Sequence, residues 1–257
     1  MSVSLSLAGK VAIVTGGSRG IGEAIARCFV EQGANVVVAS RKEEGVRGVA
    51  DKLNGLRAGS TVPVAAHTGK EAECKALVAT AIAKLGKVDI LINNAGTNPH
   101  FGPLLDVDMP AWDKTFEVNL KGYFWMAREV ALHLRARDEK RGAIVNVASI
   151  AGVLGAPLQG VYGMTKAAVI SMTKTLAYEL GASSIRVNAI APGMVDTRLA
   201  AAITSNDVLI SDINKRTALG RVAQPDEIAG AALYLASDAS SFTTGEVLVV
   251  DGGLQIT

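Results

Sequence analysis

Seven short apolar runs, separated by segments long enough to form helices, most restrict how this chain can fold. Most of these runs are apolar at nearly every position, which is typical of parallel strands buried on both faces of a sheet. The pattern predicts a single doubly wound α/β domain over residues 1–257, with helices covering a seven-stranded parallel sheet. The predicted strands are Val11–Val14, Asn35–Ala39, Thr61–Ala66, Ile90–Asn93, Ala143–Val147, Arg186–Ile190 and Val247–Val250.

The composition excludes several classes of protein. Hydrophobic residues make up 49% of the chain and charged residues 19%, which excludes disorder. The formal net charge of +2 gives no electrostatic reason to expect nucleic acid or a membrane surface as a partner. The two cysteines offer no disulfide framework, and His100 and His133 have no ligand-like companions, so no metal site is predicted. Without a secretory signal or a membrane-length apolar run, we expect a cytoplasmic protein.

A glycine-rich turn joins the first predicted strand to the first predicted helix. Glycine lets the backbone turn tightly and approach a pyrophosphate, and the helix start offers unpaired N–H groups to anions. Such a turn also fits plain packing of a helix on a strand, but its place between the two favours a nucleotide site. The turn runs Thr15-Gly16-Gly17-Ser18-Arg19-Gly20-Ile21-Gly22, and the predicted cofactor contacts in it are Gly16, Ser18, Arg19, Gly20, Ile21 and Gly22.

The end of the second strand distinguishes NADP(H) from NAD(H). An acidic residue that binds a ribose 2′-hydroxyl is expected there, but the chain reads Ala39-Ser40-Arg41-Lys42. Ser40 can donate a hydrogen bond to a 2′-phosphate and Arg41 can clamp it with two parallel bonds, while Arg19 adds a second cation. Arg41 taken singly also fits the start of a solvated helix. The three residues together predict NADP(H) as the cofactor.

Asn119, Ser149, Tyr162 and Lys166 form a set that can transfer a proton to a carbonyl oxygen. Tyr162 and Lys166 are four residues apart, so they lie on one face of a helix. A nearby ammonium and the positive ring of an oxidised nicotinamide are expected to lower the tyrosine pKa from about 10 towards neutrality. Tyr162 is then the predicted acid in reduction, and Ser149 the predicted hydrogen-bond donor to the substrate oxygen.

These motifs resemble, in order and spacing, those of the short-chain dehydrogenase/reductase family. The resemblance runs from about Leu7 to the last residues and implies a Rossmann-type fold, a nicotinamide cofactor and a catalytic tetrad. In the tetrad it implies that Lys166 also holds the ribose hydroxyls, and that Asn119 kinks its helix and holds a water linking Lys166 to solvent. The motifs are Thr15-Gly16-x-x-x-Gly20-x-Gly22, Asn93-Asn94-Ala95-Gly96, Asn119, Ser149, Tyr162-x-x-x-Lys166 and Pro192-Gly193.

The resemblance also implies further cofactor contacts. His67 and Thr68 follow the third strand, where many relatives carry an Asp that contacts the adenine. His67 can stack on or hydrogen-bond to the adenine, or be an ordinary loop histidine, and the sequence leaves both readings open. The remaining contacts lie at the adenosine ribose, namely Asn94, Ala95 and Gly96, and at the nicotinamide amide, namely Pro192, Gly193, Val195 and Thr197.

The segment at about 194–221 is longer than a simple loop and carries several apolar residues, so it is predicted to be a substrate lid. The expected substrate is a small carbonyl compound, a ketone or β-keto ester. One alternative is a 3-oxoacyl-[acyl-carrier-protein] reductase, which would bind acyl-carrier protein; another is a nucleotide-binding regulator without turnover. Tyr178 stands where carrier-binding relatives tend to have Arg, which favours the first reading. The resemblance further implies a homotetramer.

Overall fold

The apolar runs form one parallel sheet of seven strands in the computed structural model, which describes residues 4–256. Residues 1–3 and 257 of the predicted domain lie outside the described residues. The strand order is β3-β2-β1-β4-β5-β6-β7, and every neighbouring pair is parallel. The strands are β1 Val11–Thr15, β2 Asn35–Ser40, β3 Thr61–Ala65, β4 Ile90–Asn93, β5 Gly142–Val147, β6 Ile185–Pro192 and β7 Val247–Val250.

Helices cover both faces of this sheet. The helices α1, α2 and α9 pack on one face, around the fully buried Ile25 and Phe29. On the other face α3, α5 and α6 pack around Leu77, Met126 and Ile144. The nine helices found in residues 4–256 are α1 Gly20–Glu31, α2 Glu43–Leu56, α3 Glu71–Leu85, α4 Met109–Phe116, α5 Gly122–Ala136, α6 Gly160–Gly181, α7 Ala201–Thr204, α8 Asp207–Arg216 and α9 Asp226–Ala236.

The order of the sheet determines where a site can form. The strand order reverses between the neighbours β1 and β4, because the chain returns from β3 to the middle of the sheet before it builds the other half. The loops that leave β1 and β4 diverge there. In doubly wound sheets, ligands bind in the crevice beyond the carboxyl ends of the strands at this switch point. The glycine turn follows β1 and the motif Asn93–Gly96 follows from β4, so both predicted cofactor motifs lie at the crevice. The predicted fold class is confirmed.

A π-turn separates α4 from α5. It spans Glu117–Lys121, and the Gly122 N–H donates to the carbonyl of Glu117, five residues earlier. Single π-turns inside longer helices displace the local hydrogen bonds and occur often at functional sites. Asn119 lies at the middle of this turn and its side chain is completely buried.

Within residues 4–256, none of the helices combines the length and apolar character that crossing a membrane requires.

Candidate active site

The glycine turn is shaped by contacts that admit no side chain. Gly16 has φ 65° and Gly20 has φ 56°, values in the left-handed region that favours glycine. A Cβ placed on Gly22 would lie 2.4 Å from the carbonyl oxygen of Gly16. The turn therefore leaves its surface open to a ligand. Arg19 is the N-cap residue of α1, but its side chain makes no capping hydrogen bond. It therefore does not occupy the N–H groups that begin the helix.

Asn94 supports this turn from the neighbouring strand. Its amide Nδ2 donates to the carbonyl oxygens of Thr15 at 2.9 Å and Gly16 at 3.2 Å. The Thr15 hydroxyl accepts from the backbone N–H groups of Asn94 and Ala95, at 2.9 and 3.2 Å. These bonds tie the end of β4 to the end of β1. Thr15 is a supporting residue that the sequence reasoning missed, although its place directly before Gly16 was a usable signal.

Two exposed arginines are placed to meet a ligand at the turn, Arg19 within it and Arg41 beside it. The Gly17 N–H donates to the carbonyl of Ala39 at 3.1 Å, which brings the end of β2, and with it Ser40 and Arg41, next to the glycine turn. No ion pair of Arg19 or Arg41 is found among the salt bridges of residues 4–256, whereas Arg47 nearby pairs with Glu43. The carboxyl end of β2 therefore presents an exposed arginine without an ion pair in the described chain, and its last residue is a hydroxyl donor rather than a carboxylate.

His67 is held by local partners. Its Nδ1 accepts from the Gly69 N–H at 2.9 Å, and its Nε2 lies 2.9 Å from Nζ of Lys114. Burial and the neighbouring charge of Lys114 lower the pKa of His67, and Arg41 is close enough to contribute in the same direction. Both ring nitrogens are engaged, so the face of the ring is the part left to meet an adenine. Thr68, the next residue, is buried.

The segment after β6 carries unused hydrogen-bonding groups towards the crevice. Val195 forms a parallel bridge with Ala223. The Asp196 N–H donates to the Ala223 carbonyl, and the Ala223 N–H donates to the Met194 carbonyl. This pairing leaves the Val195 N–H for another partner. Thr197 makes no side-chain cap to the following turn, and its methyl group would lie 3.3 Å from a Cβ on Gly20. The predicted amide contacts thus lie against the glycine turn.

One cavity of about 140 Å³ brings together predicted nicotinamide-side residues and the predicted catalytic residues Ser149, Tyr162 and Lys166. The adenine-side residues Ser18, Arg19, Ser40, Arg41, His67 and Thr68 lie outside it, further along the crevice, and Asn119 is buried behind it. Its apolar wall consists mainly of Ile150, Met194, Leu199, Ile203 and Leu254. The predicted site residues that line it are Ile21, Asn94, Gly96, Ser149, Tyr162, Lys166, Pro192, Gly193, Val195 and Thr197.

Ser149 is oriented by the turn that follows it. Its Oγ accepts from the Ala151 N–H at 3.1 Å, so the hydroxyl caps the short 3₁₀ turn Ile150–Gly152. Because this bond uses a lone pair, the hydroxyl hydrogen is left to donate, and Tyr162 is its partner among the described residues. Gly152 packs so tightly that a Cβ would lie 2.6 Å from the carbonyl carbon of Lys166. This contact holds the Ser149 turn against α6, which carries Tyr162.

Among the described groups, the surroundings of Tyr162 raise its pKa, so the lowering expected beside an oxidised nicotinamide stays a prediction. The pKa is raised to about 12, chiefly because the phenol loses contact with water; a hydrogen bond with Ser149 opposes the shift. Lys166 does not offset this effect because its Nζ is 5.6 Å from the centre of the Tyr162 ring and is bonded elsewhere. The expected lowering also relied on a positive nicotinamide ring, which is not among the described groups. At neutral pH the phenol is therefore in its acid form.

Tyr123 positions Lys166, and the sequence reasoning missed this residue. Lys166 Nζ donates to the Tyr123 hydroxyl at 3.1 Å and to the Val147 carbonyl at 2.7 Å. The Tyr123 hydroxyl in turn donates to the same carbonyl at 3.0 Å. Burial lowers the pKa of Lys166 to about 7. An ammonium has three N–H donors, so one remains to bind a ribose hydroxyl. The spacing of Tyr123 four residues after Asn119 was the available signal.

Asn119 links three parts of the site. Its Oδ1 accepts from the Thr97 N–H at 2.8 Å, and its Nδ2 donates to the Thr97 carbonyl at 2.9 Å and to the Thr165 hydroxyl at 3.3 Å. The side chain thereby joins the loop after β4 to α6, on the residue directly before Lys166. The water-holding role expected of Asn119 stays a prediction.

The motifs, their crevice and the cavity agree with a known family. A family model described as Enoyl-(Acyl carrier protein) reductase matches residues 16–255. The chain is 39% identical over 251 residues to the Caenorhabditis elegans protein named Dehydrogenase/reductase SDR family member 4, covering 96% of this chain and 95% of that protein. The chain belongs to the short-chain dehydrogenase/reductase family. The resemblance found in the sequence is confirmed.

Other members of the short-chain dehydrogenase/reductase family extend this comparison. The chain is 37% identical over 254 residues to the 3-oxoacyl-[acyl-carrier-protein] reductase FabG of Thermotoga maritima, covering 98% of this chain and 100% of that protein. A crystal structure of a gluconate 5-dehydrogenase from Burkholderia cenocepacia, in complex with NADP and tartrate, has a TM-score of 0.94 and 35% identity over 99% of this chain and 98% of that one. The protein is thus an oxidoreductase that uses a nicotinamide cofactor and acts on a CH–OH or carbonyl group.

A second cavity, of about 650 Å³, lies at the opposite end of the strands from the crevice. Lys10, Asp89 and Ile185 line it, and all three lie at or just before the amino ends of strands. It contains none of the predicted site residues, so size does not identify the active site here.

Among residues 4–256, no group of three or more His, Cys, Asp or Glu side chains has an arrangement that could hold a metal ion.

Proposed function

We propose that this protein is an NADP(H)-dependent reductase of small ketones or β-keto esters. The observation that carries the proposal is the cavity in which Ser149 and the protonated Tyr162 face an apolar wall. When bound, the nicotinamide cofactor supplies the hydride. Tyr162 then protonates the carbonyl oxygen, Ser149 stabilises the developing charge by a hydrogen bond, and Lys166 binds the ribose while holding its place beside Tyr162.

The residues present fit an NADP(H) cofactor. The Val195 N–H and the Thr197 hydroxyl are available to the nicotinamide amide. The exposed Arg19 and Arg41 offer charge to a 2′-phosphate at a position where an NAD-binding site would carry an acid. The ring face of His67 packs against the adenine in this proposal, because both ring nitrogens already have partners.

The proposal includes a lid over the substrate at about 194–221. Leu199 and Ile203 line the cavity, while none of the residues of α8 is buried. A segment that touches the cavity on one side and has little contact with the core on the other can move as substrate enters.

Both cysteines are free thiols, which supports a reducing, cytoplasmic setting.

The second candidate is reduction of a 3-oxoacyl group on acyl-carrier protein, favoured by the likeness to the Thermotoga maritima reductase. Such an enzyme needs basic surface for an acidic carrier. The segment at 135–141 offers four basic residues, namely Arg135, Arg137, Lys140 and Arg141. Arg137 pairs with Asp89 and Arg141 with Asp238, which reduces their attraction for another acid and leaves Arg135 and Lys140 as the other exposed basic residues there. Tyr178 is 92% exposed on α6 and offers no cationic group to a carrier. These features favour free carbonyl compounds.

A comparison of substrates tests this choice. We expect an aryl ketone and a 3-oxoacyl group on a small thiol to be reduced with kcat/KM values at least as high as that of the same acyl group on carrier protein. A large advantage of the carrier-bound form, which weakens as salt is added, would transfer the proposal to the fatty-acid reductase. If no carbonyl compound in the panel oxidises NADPH, the regulator reading replaces both.

We also propose a homotetramer. Phe124 and Leu132 on α5 and Tyr178 on α6 are exposed, and Phe242 is fully exposed before β7. Apolar side chains exposed on two separate parts of the surface are consistent with two different two-fold interfaces. Light scattering at micromolar protein is expected to give four times the chain mass of 26.5 kDa. A monomeric mass would reject this assembly.

A further inference from the structure

Two loops are joined across the mouth of the catalytic cavity. The first follows β4 and contains Asn98 and Gly102; the second precedes α6 and contains Leu158 and Gln159. Asn98 Nδ2 donates to Gln159 Oε1 at 3.2 Å, and the Gly102 N–H donates to the Leu158 carbonyl at 2.9 Å. One side-chain bond and one backbone bond therefore hold the two walls of the cavity at a defined separation.

Leu158 has an unusual backbone conformation that supports this arrangement. Its φ is 64°, and Leu158 and Ser184 are the two non-glycine residues with positive φ within residues 4–256. Side chains other than glycine adopt this region at a cost, and such strain persists where surrounding contacts require it. Here the conformation directs the Leu158 carbonyl to Gly102 and delivers Gln159 as the N-cap residue of α6.

Asn98 and Gln159 both line the cavity that Ser149 and Tyr162 line. A pair of primary amides has four N–H groups and two carbonyl oxygens, and the bond between the side chains uses one of each. No other hydrogen bond of the two side chains is present in residues 4–256. The pair therefore offers three N–H donors and one carbonyl oxygen, whichever way the amides are turned. This part of the cavity is rich in donors.

The rest of the cavity limits what these donors can bind. Lys166 is the one charged residue among those lining the cavity in the described chain, and its bonds to Tyr123 and Val147 turn it towards the core. A charged group on the substrate would thus have no free counter-ion, whereas an uncharged oxygen would accept from the amides without one. Gln159 precedes Tyr162 by three residues at the start of α6, so the donors flank the carbonyl that Tyr162 protonates.

We propose that the Asn98–Gln159 pair binds a second, uncharged carbonyl oxygen of the substrate and thereby selects ketones that carry one, such as β-keto esters. This inference rests on the proposed function, because it assigns specificity within the same cavity. A substrate held at two oxygens has one orientation over the cofactor. The pair therefore contributes to selectivity and to the stereochemistry of the alcohol, while Tyr162 performs the proton transfer and Ser149 stabilises the developing charge.

The test compares ethyl 3-oxobutanoate with 2-octanone, which has the same number of non-hydrogen atoms but one oxygen. The measured quantity is the ratio of their kcat/KM values with NADPH. Comparing this ratio between wild type and variant cancels the different intrinsic reactivity of the two ketones. Because a neutral hydrogen bond contributes modestly, we expect the ratio to fall roughly three- to tenfold in Gln159→Leu and in Asn98→Leu. The enantiomeric excess of the hydroxy ester should fall with it.

Gln32→Leu is the matched control, since Gln32 is exposed at the end of α1 and should leave the ratio unchanged. Loosening of the loops alone would lower kcat/KM for both substrates alike, so an unchanged ratio in Gln159→Leu overturns the inference. Gln159→Glu keeps the size of the side chain but adds negative charge, and it should lower the ratio further; a ratio at the wild-type value would also overturn it. If wild type reduces neither ketone, the proposed function fails instead.

Discussion

Replacing Tyr162 by phenylalanine is expected to lower kcat for ketone reduction by about 10² to 10⁴, the usual contribution of general acid–base catalysis. The substitution removes one hydroxyl from the cavity and retains the ring near Lys166 Nζ. Because the Lys166 ammonium is held by Tyr123 and Val147 rather than by Tyr162, its place should persist in the variant. Stopped-flow or steady-state oxidation of NADPH measures the change in kcat.

Cofactor binding separates loss of chemistry from loss of structure. The dissociation constant of NADPH, from fluorescence titration, should change by less than about threefold in Tyr162→Phe. Tyr178→Phe is the matched control, because it removes the same hydroxyl from a residue that is 92% exposed on the same helix. It should retain wild-type turnover. Near-normal kcat in a folded Tyr162→Phe protein that binds NADPH would refute the assigned acid.

The strands could be predicted from the sequence because burial on both faces leaves a simple signal. The run at Ile90–Asn93, buried at all of its positions, matches the observed strand at both ends. Val247–Val250 also matches at both ends, although its residues are only partly buried. The prediction for β6 ended at Ile190, whereas the strand continues to Pro192. Proline cannot donate to a ladder, so a pattern-based reading stops before it. At this edge of the pairing Pro192 instead lies opposite Val250.

The residues of the predicted tetrad could be chosen by motif, but their interactions could not be predicted. Nothing in the spacing indicates that Lys166 Nζ bonds to Tyr123 and Val147, because those residues come from α5 and β5. The direction of the Tyr162 pKa depended on this detail. An ammonium beside the phenol would lower the pKa, but with Nζ bonded elsewhere the loss of water prevails.

The loops posed the largest difficulty. Asn98 and Gln159 are 61 residues apart and meet only because their loops leave neighbouring parts of the crevice. The left-handed conformation of Leu158 has no signature in the sequence, since leucine rarely adopts it. His67 is similar: its two partners, Gly69 and Lys114, come from its own loop and from α4. Contacts between distant segments depend on the folded backbone, which local patterns do not describe.

Replacing Arg41 by aspartate is expected to reverse the preference for NADPH. A charge-assisted hydrogen bond contributes about 1.5 to 3 kcal/mol, so its loss weakens NADPH binding roughly 10- to 150-fold. The new carboxylate adds repulsion of the 2′-phosphate and can bind the 2′-hydroxyl of NADH. We therefore expect the ratio of kcat/KM for NADPH to that for NADH to fall by at least about a hundredfold. Steady-state kinetics with both cofactors at a fixed ketone concentration measures this ratio.

The position of the charge should matter as well as its sign. Lys84→Asp makes the same change of charge on an exposed residue in the last turn of α3, away from the glycine turn, and controls for the general field of the protein. It should leave the cofactor ratio nearly unchanged. If Arg41 only begins a solvated helix, Arg41→Asp will behave like this control. Equal use of NADH and NADPH by the wild-type protein would contradict the assignment directly, because Arg19, Ser40 and Arg41 would then discriminate against neither cofactor.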